Sequence, residues 1–202
     1  MIRCLETPPL TTTTTRPRLP RGKRWTYADY CKIPPDRNRH EILAGEHFVN
    51  PAPDISHQDA LGGLHVQFHE RLVRPGHGRV MLAPCDVVIA DDTVVQPDLI
   101  VILAEHTGII RTKAIHGTPD LLIEILSPSS GTHDRKRKRA IYAAAGVREY
   151  WIVDTRRRRI ERLVLANGAY GRASIHTRRI RAHVLPALQI DLDQIWNAGR
   201  TS

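Results

Sequence analysis

Three acids stand out because apolar strand-like sequence surrounds each of them: Glu41 in HEIL, Asp98 in QPDLIVIL and Glu124 in DLLIEIL. A carboxylate in a core strand is costly unless something pairs with it. One such residue is explained by an edge strand or a pocket rim. Three on the central elements of a basic chain suggest a hard cation held by oxygen ligands. A divalent ion would neutralise the acids, bind phosphate oxygens and activate a water. Asp120 competes with Asp98, since each follows a proline. Asp120 and Glu124 share one face of one strand but are four residues apart, about 13 Å at ~3.3 Å per residue. Asp98 belongs to a different strand, which can lie about 4.8 Å from that of Glu124. The ion is therefore assigned to Asp98, and Asp120 to the start of its strand.

The elements that must hold these acids are readable in outline. Thr26 caps a short helix before Pro34-Pro35. Two short strands flank Ala44-Gly45 as a hairpin. Residues 54–73 form a helix with Leu61, Leu64, Phe68 and Leu72 at helical spacing, weakened by Gly62-Gly63. Residues 79–89 and 94–103 predict two antiparallel strands, and 104–116 a loop or short helix. Residues 120–126 are nearly all apolar, a strand buried on both faces. A basic helix follows over 133–145, with Thr132 as N-cap and Gly146 just past its end. Residues 149–154 make the next strand, Asn167-Gly168 turns a hairpin, and 187–192 form a last strand.

The chain has 202 residues, a net charge of +9 and a pI near 10.0. Such a chain attracts polyanions and fits a nucleic-acid partner. Its three cysteines have no CxxC spacing, which excludes a disulfide framework and a thiolate zinc site. His65 and His69 have metal spacing on a helix but no third ligand nearby. No apolar run approaches the ~20 residues of a membrane span. The start lacks a signal-peptide core, so the expected compartment is the cytoplasm. Residues 1–23, rich in Thr, Pro and Arg, predict a disordered basic tail, and 24–198 a single domain.

The acids resemble the PD-(D/E)XK nuclease superfamily, which places Pro-Asp on one strand and acid, any residue, lysine on the next. Here Leu126 occupies the lysine position. A lysine from the following helix can reach the same space, and Lys138 is best placed. Asp134, Lys138 and Tyr142 are spaced by four and form one stripe. Lys136 points about 160° from Lys138, toward solvent or phosphate. Over residues 26–196 the chain is most similar to the Uma family of restriction endonucleases. The matching stretches are HEILAGE, His57 opening a helix, QPDLIVI, GTPDLLIEILSPSS, the D-x3-K-x3-Y stripe and GVREYWIVD. In that family the lysine is displaced to the helix.

The resemblance implies an α/β chain of mixed α+β type: a restriction-endonuclease-like central mixed β-sheet flanked by helices, with extra β-hairpins, often dimeric. It implies a Mg²⁺- (or Mn²⁺-) dependent endonuclease acting on DNA. Carried over, Glu41, Asp98 and Glu124 hold the metal, and Asp98, Glu124 and Lys138 are catalytic. His57, Tyr142, Asp134 and Lys136 are candidates for supporting or phosphate contacts. Arg135, Arg137, Arg139 and 156–159 would grip phosphates. Two alternatives stay open: an inactive nuclease fold that only binds nucleic acid or protein, and a metal enzyme acting on a small anionic substrate.

Overall fold

Prolines decide where this chain changes sheet. A proline cannot donate to a ladder, and Pro84 and Pro97 each cut what the apolar pattern presents as one strand. The computed structural model describes residues 23–36, 38–50, 53–126 and 132–197, with the backbone alone over 132–135. Most of the tail read over 1–23 therefore lies outside the described residues. In place of a strand over 79–89 there are two, β3 (Gly78–Leu82) and β4 (Val87–Ala90). In place of one over 94–103 there are β5 (Thr93–Val95) and β6 (Leu99–Leu103). β3 pairs with β6 and β4 with β5, both antiparallel as expected, but in two different sheets.

The larger sheet is built on β6, β8 (Leu121–Ile125) and β9 (Glu149–Asp154). β6 and β8 run antiparallel and β8 and β9 parallel, so the sheet is mixed. β3 lies outside β6. On the other side β10 (Arg159–Ala166) pairs with β9, β11 (Ala169–Tyr170) and β12 (Ser174–His176). The smaller sheet has β1 (Arg39–Leu43) and β2 (Glu46–Asn50) at one end, then β5, β4 and β7 (Ile115–His116). The β1–β2 turn puts Ala44 at φ 52° and Gly45 at φ 80°, as a two-residue hairpin of matching twist requires. A last hairpin joins β13 (Arg179–Arg181) and β14 (Gln189–Asp191).

Among the described residues there are four α-helices and a 3-10 helix over Ala104–Ile109. α1 (Tyr27–Tyr30) carries the expected Thr26 cap, reciprocated by Asp29. α2 (Ile55–Phe68) is capped by Asp54 and continues into a π-helical turn, His69–Val73. α3 (Thr132–Ala144) starts at the residue expected to cap it. α4 (Leu192–Trp196) follows β14 directly.

Alternation along the central strands divides the core. Leu99, Val101, Ile123, Trp151 and Val153 face Leu64 and Phe68 of α2 and Ile195 of α4. Ile100, Ile102, Leu122, Tyr150 and Ile152 face the smaller sheet, through Leu43, Val87 and Val95, and α3, through Tyr142. All five residues of β6 and all six of β9 are buried, the pattern of strands covered on both sides. No helix among the described residues is long and apolar enough to cross a membrane.

Candidate active site

The site forms where the chain crosses from the smaller sheet to the larger. β6 and β8 pair Leu99 with Ile123. One step beyond that pair, Asp98 and Glu124 lie beside each other, and the Ile125 amide donates to Asp98 Oδ2 at 2.8 Å. β1 supplies the third acid. Its Ile42 pairs with Val94 of β5, and Glu41 Oε1 accepts from the Gln96 amide at 2.8 Å. Glu41 Oε2 accepts from Asn50 Nδ2 of β2 at 2.6 Å. Two polar ties thus anchor Glu41 at the crossover, and its side chain is buried.

α3 closes the cluster. Lys138 Nζ donates to Glu41 Oε1 at 3.0 Å and to Glu124 Oε1 at 3.1 Å. One turn on, Tyr142 Oη donates to the same Glu124 oxygen at 2.7 Å. The stripe spaced by four therefore meets β8 with two successive side chains. Tyr142 is held in turn by an edge-on contact with Tyr150, ring centres 5.0 Å apart. Leu126 packs into the apolar cluster that also contains Tyr142. The lysine beside Glu124 thus comes from the helix, while position 126 serves packing.

Asp98 has its own escort. Arg39 Nη1 donates to Oδ1 at 2.7 Å, and a second Arg39 nitrogen donates to the Gln96 carbonyl. His57, from the first turn of α2, places Nε2 3.1 Å from Oδ2. Burial works to raise the Asp98 pKa, but His57, Arg39 and the Ile125 amide outweigh it and hold it below the ordinary value. Glu124 goes the other way. Burial, only partly offset by Lys138, and the nearby charges of Asp98 and Glu41 push its carboxyl up to about 7. Burial and the adjoining acids also raise the Tyr142 hydroxyl well above its usual value, keeping it a donor.

The structure thus brings together Glu41, Asp98, Glu124, Lys138, His57 and Tyr142. Lys136 is exposed, and the side chain of Asp134 lies outside the described residues. Asp120 is elsewhere: it accepts from the Leu103 amide at 2.7 Å, meets His106 at 2.8 Å and pairs with Arg148. The rings of His65 and His69 sit 6.1 Å apart. Four of the proposed phosphate-gripping arginines are committed within the chain, Arg137 to Glu46, Arg139 to the Tyr170 and Gly171 carbonyls, Arg157 to Asp154 and Arg159 to Glu161. Arg39, Gln96 and Asn50 were not anticipated. Arg39 could have been found from strand period, since it lies two residues before Glu41 on the same face. The roles of Gln96 and Asn50 depend on pairing between distant strands.

Among the described residues, no three His, Cys, Asp or Glu side chains make a ready-formed metal cage. The donor chemistry nevertheless suits a hard cation. Three carboxylates face two permanent cations, Arg39 and Lys138, leaving one negative charge in excess when all three acids are ionised. Burial first, and then the charges of Asp98 and Glu41, raise the Glu124 carboxyl in this setting.

Residues 27–193 match the Uma2 family, described as "Putative restriction endonuclease". No curated protein matches the chain. Among solved structures, a protein of Anabaena variabilis ATCC 29413, described as a "putative nuclease belonging to DUF820", superposes with a TM-score of 0.71. It is 15% identical, over 85% of this chain and 97% of that one. At that identity the likeness establishes the fold, and the family match extends over the strands, α2 and α3 that build the acid cluster. With its sheet topology and its family match spanning the same residues, the chain belongs to the Uma2 family.

Proposed function

We propose that this protein is a metal-dependent endonuclease that hydrolyses phosphodiester bonds in DNA. The observation that carries the reading is the position of Lys138 Nζ, 3.0 Å from Glu41 and 3.1 Å from Glu124, although position 126 holds leucine. Glu41, Asp98 and Glu124 would hold Mg²⁺ or Mn²⁺, which when bound polarises a phosphoryl oxygen and lowers the pKa of a water. Lys138 brings a positive charge to the acids, where it can orient a water or offset charge developing on phosphate. Tyr142 fixes the Glu124 carboxylate by donating to one of its oxygens. Arg39 and His57 hold Asp98 from the other side. The exposed Lys136 and Arg156 add phosphate contacts that give affinity and salt dependence without reading sequence. A homodimer is the assembly proposed.

Plasmid cleavage in Mg²⁺ or Mn²⁺ tests this reading, comparing wild type with Glu124→Ala and Lys138→Ala. Both variants should lose cleavage, and equal activity in all three proteins would refute the site. One observation favours a second reading, a nuclease fold that only binds nucleic acid: Lys138, Arg39 and His57 already engage the acids. That reading predicts salt-sensitive DNA binding, no Mg²⁺ uptake by calorimetry, and binding indifferent to Asp98→Ala.

A further inference from the structure

Between β5 and β6 the chain passes through Gln96-Pro97-Asp98, which belong to neither sheet. Pro97 has no amide hydrogen and disfavours a helical turn at the residue before it. Gln96 therefore carries the backbone groups by which this crossover meets the site. Its amide donates to Glu41 Oε1 at 2.8 Å. Its carbonyl accepts from Arg39, which donates in turn to Asp98 Oδ1 at 2.7 Å. One residue's backbone thus reaches one acid directly and a second through a guanidinium. Both links are placed only as well as the backbone of Gln96 is placed.

The side chain of Gln96 fastens that backbone. The residue is buried, and its Nε2 donates to Asp86 Oδ1 at 2.8 Å and to Tyr30 Oη at 3.1 Å. Tyr30 Oη donates to the same Asp86 oxygen at 2.6 Å, which closes a triangle. Each corner is held by a different element. Tyr30 ends α1. Asp86 stands just before β4, and its carbonyl accepts from the amide of Ile115, which opens β7, at 2.8 Å. Burial first, and then Asp86, raise the Tyr30 hydroxyl above its ordinary value, so it stays a donor. The one loose end is Gln96 Oε1, buried without a hydrogen-bond partner among the described residues. A leucine there would avoid that cost of about 1–3 kcal/mol but would leave the crossover unpinned.

We propose that Gln96, backed by Asp86 and Tyr30, is a positioning residue for the acid site. It fixes Glu41 and the Arg39–Asp98 pair relative to one another without touching the ion they would hold. The proposal rests on the metal-dependent reading and deepens it, since it brings α1 and the segment between β3 and β4 into the support of the site. Groups that orient metal ligands from outside typically govern affinity by about 10–100-fold.

Calorimetry with Mn²⁺ on the metal-free protein tests this without recourse to cleavage. Gln96→Ala keeps the amide and carbonyl at position 96 and removes only the side-chain tie. It should weaken Mn²⁺ binding about tenfold or more. Asp86→Ala should do the same, whereas Asp86→Asn, whose amide oxygen still accepts from Gln96 and Tyr30, should restore most of the affinity. Gln67→Ala is the control. It removes another buried glutamine, one tied through both amide atoms to the Asp191 backbone. It should lower stability to urea and leave Mn²⁺ binding unchanged. Equal Mn²⁺ affinity in wild type and Gln96→Ala would overturn the proposal, as would a loss shared by Gln67→Ala, the mark of a merely structural effect. The two readings fail separately. Mn²⁺ uptake that ignores Gln96 removes the positioning role alone, and a wild type that takes up no Mn²⁺ removes the metal-dependent reading beneath it.

Discussion

Glu124→Gln should make this protein more stable at pH 8, and the gain should vanish near pH 5. The carboxyl of Glu124 is pushed from 4.5 up to about 7, first by burial and then by repulsion from Asp98 and Glu41. Between those two values the folded protein keeps a proton that the unfolded chain has released. Stability therefore falls as pH rises through this window. At ~1.36 kcal/mol per pH unit, the full separation amounts to roughly 3 kcal/mol, complete by about pH 8. Glutamine presents a neutral amide of the same shape, much as the protonated acid does. It also leaves Glu41 and Asp98 matched by Lys138 and Arg39. The assay is urea unfolding at pH 5, 6, 7 and 8, followed by tryptophan emission, since Trp151 is fully buried in the core. Every other titratable group is common to both proteins, so the difference between the two curves isolates Glu124. Parallel curves would refute the argument, as would a glutamine variant that is less stable at pH 8.

Three further outcomes follow from the same geometry. Lys138→Met leaves Glu41 and Glu124 without the ammonium between them and should cost about 3–5 kcal/mol at pH 8. That cost should shrink at pH 5, where Glu124 is protonated; urea unfolding at the two pH values checks it. Asp98→Asn should abolish cleavage, whereas Asp120→Asn, which loosens Arg148 and His106, should lower stability and leave the cleavage rate per folded molecule unchanged. Arg156→Gln combined with Arg158→Gln should weaken DNA binding and reduce its salt slope, by roughly 0.9 for each phosphate no longer neutralised. Binding measured across a salt series reads this directly.

The parts of the fold that the sequence shows are those set by local chemistry. Thr26 caps a helix, Ala44-Gly45 and Asn167-Gly168 turn hairpins, and the β8 and β9 runs are apolar because both faces are covered. The apolar pattern fails where one run serves two sheets. Val94 and Val95 belong with β1 and β4, and Leu99 onward with β3 and β8, yet the residues alternate no differently on the two sides of Pro97. Hydropathy reports burial but not which partner does the burying. The acid cluster is legible for a related reason. A carboxylate in an apolar run signals its own cost, so Glu41, Asp98 and Glu124 stand out. Arg39 does not, because an arginine at a strand start is ordinary until Asp98 is seen 2.7 Å away.

Buried ion pairs often do no more than satisfy one another, and the Asp120 cluster fits that description: one carboxylate meets one arginine, one histidine and one backbone amide. The cluster at the crossover is different in kind. Three carboxylates share Lys138, Arg39 and His57, and Glu124 is the acid whose carboxyl is raised, by burial first and then by Asp98 and Glu41. A fold selected only for stability has no use for that third acid, since an apolar residue at position 124 would continue the run of β8 without charging the core. Keeping the carboxylate costs free energy above pH 7. A site left one negative charge in excess can be completed by a proton or by a cation, and in either case Glu124 is the residue that changes state. Strongly shifted groups gather where chemistry needs them. Glu124 is shifted, and it accepts hydrogen bonds from two successive turns of the basic helix. Its neighbour Asp98 lines an adjoining cavity. These are the features on which the proposed phosphodiester site rests.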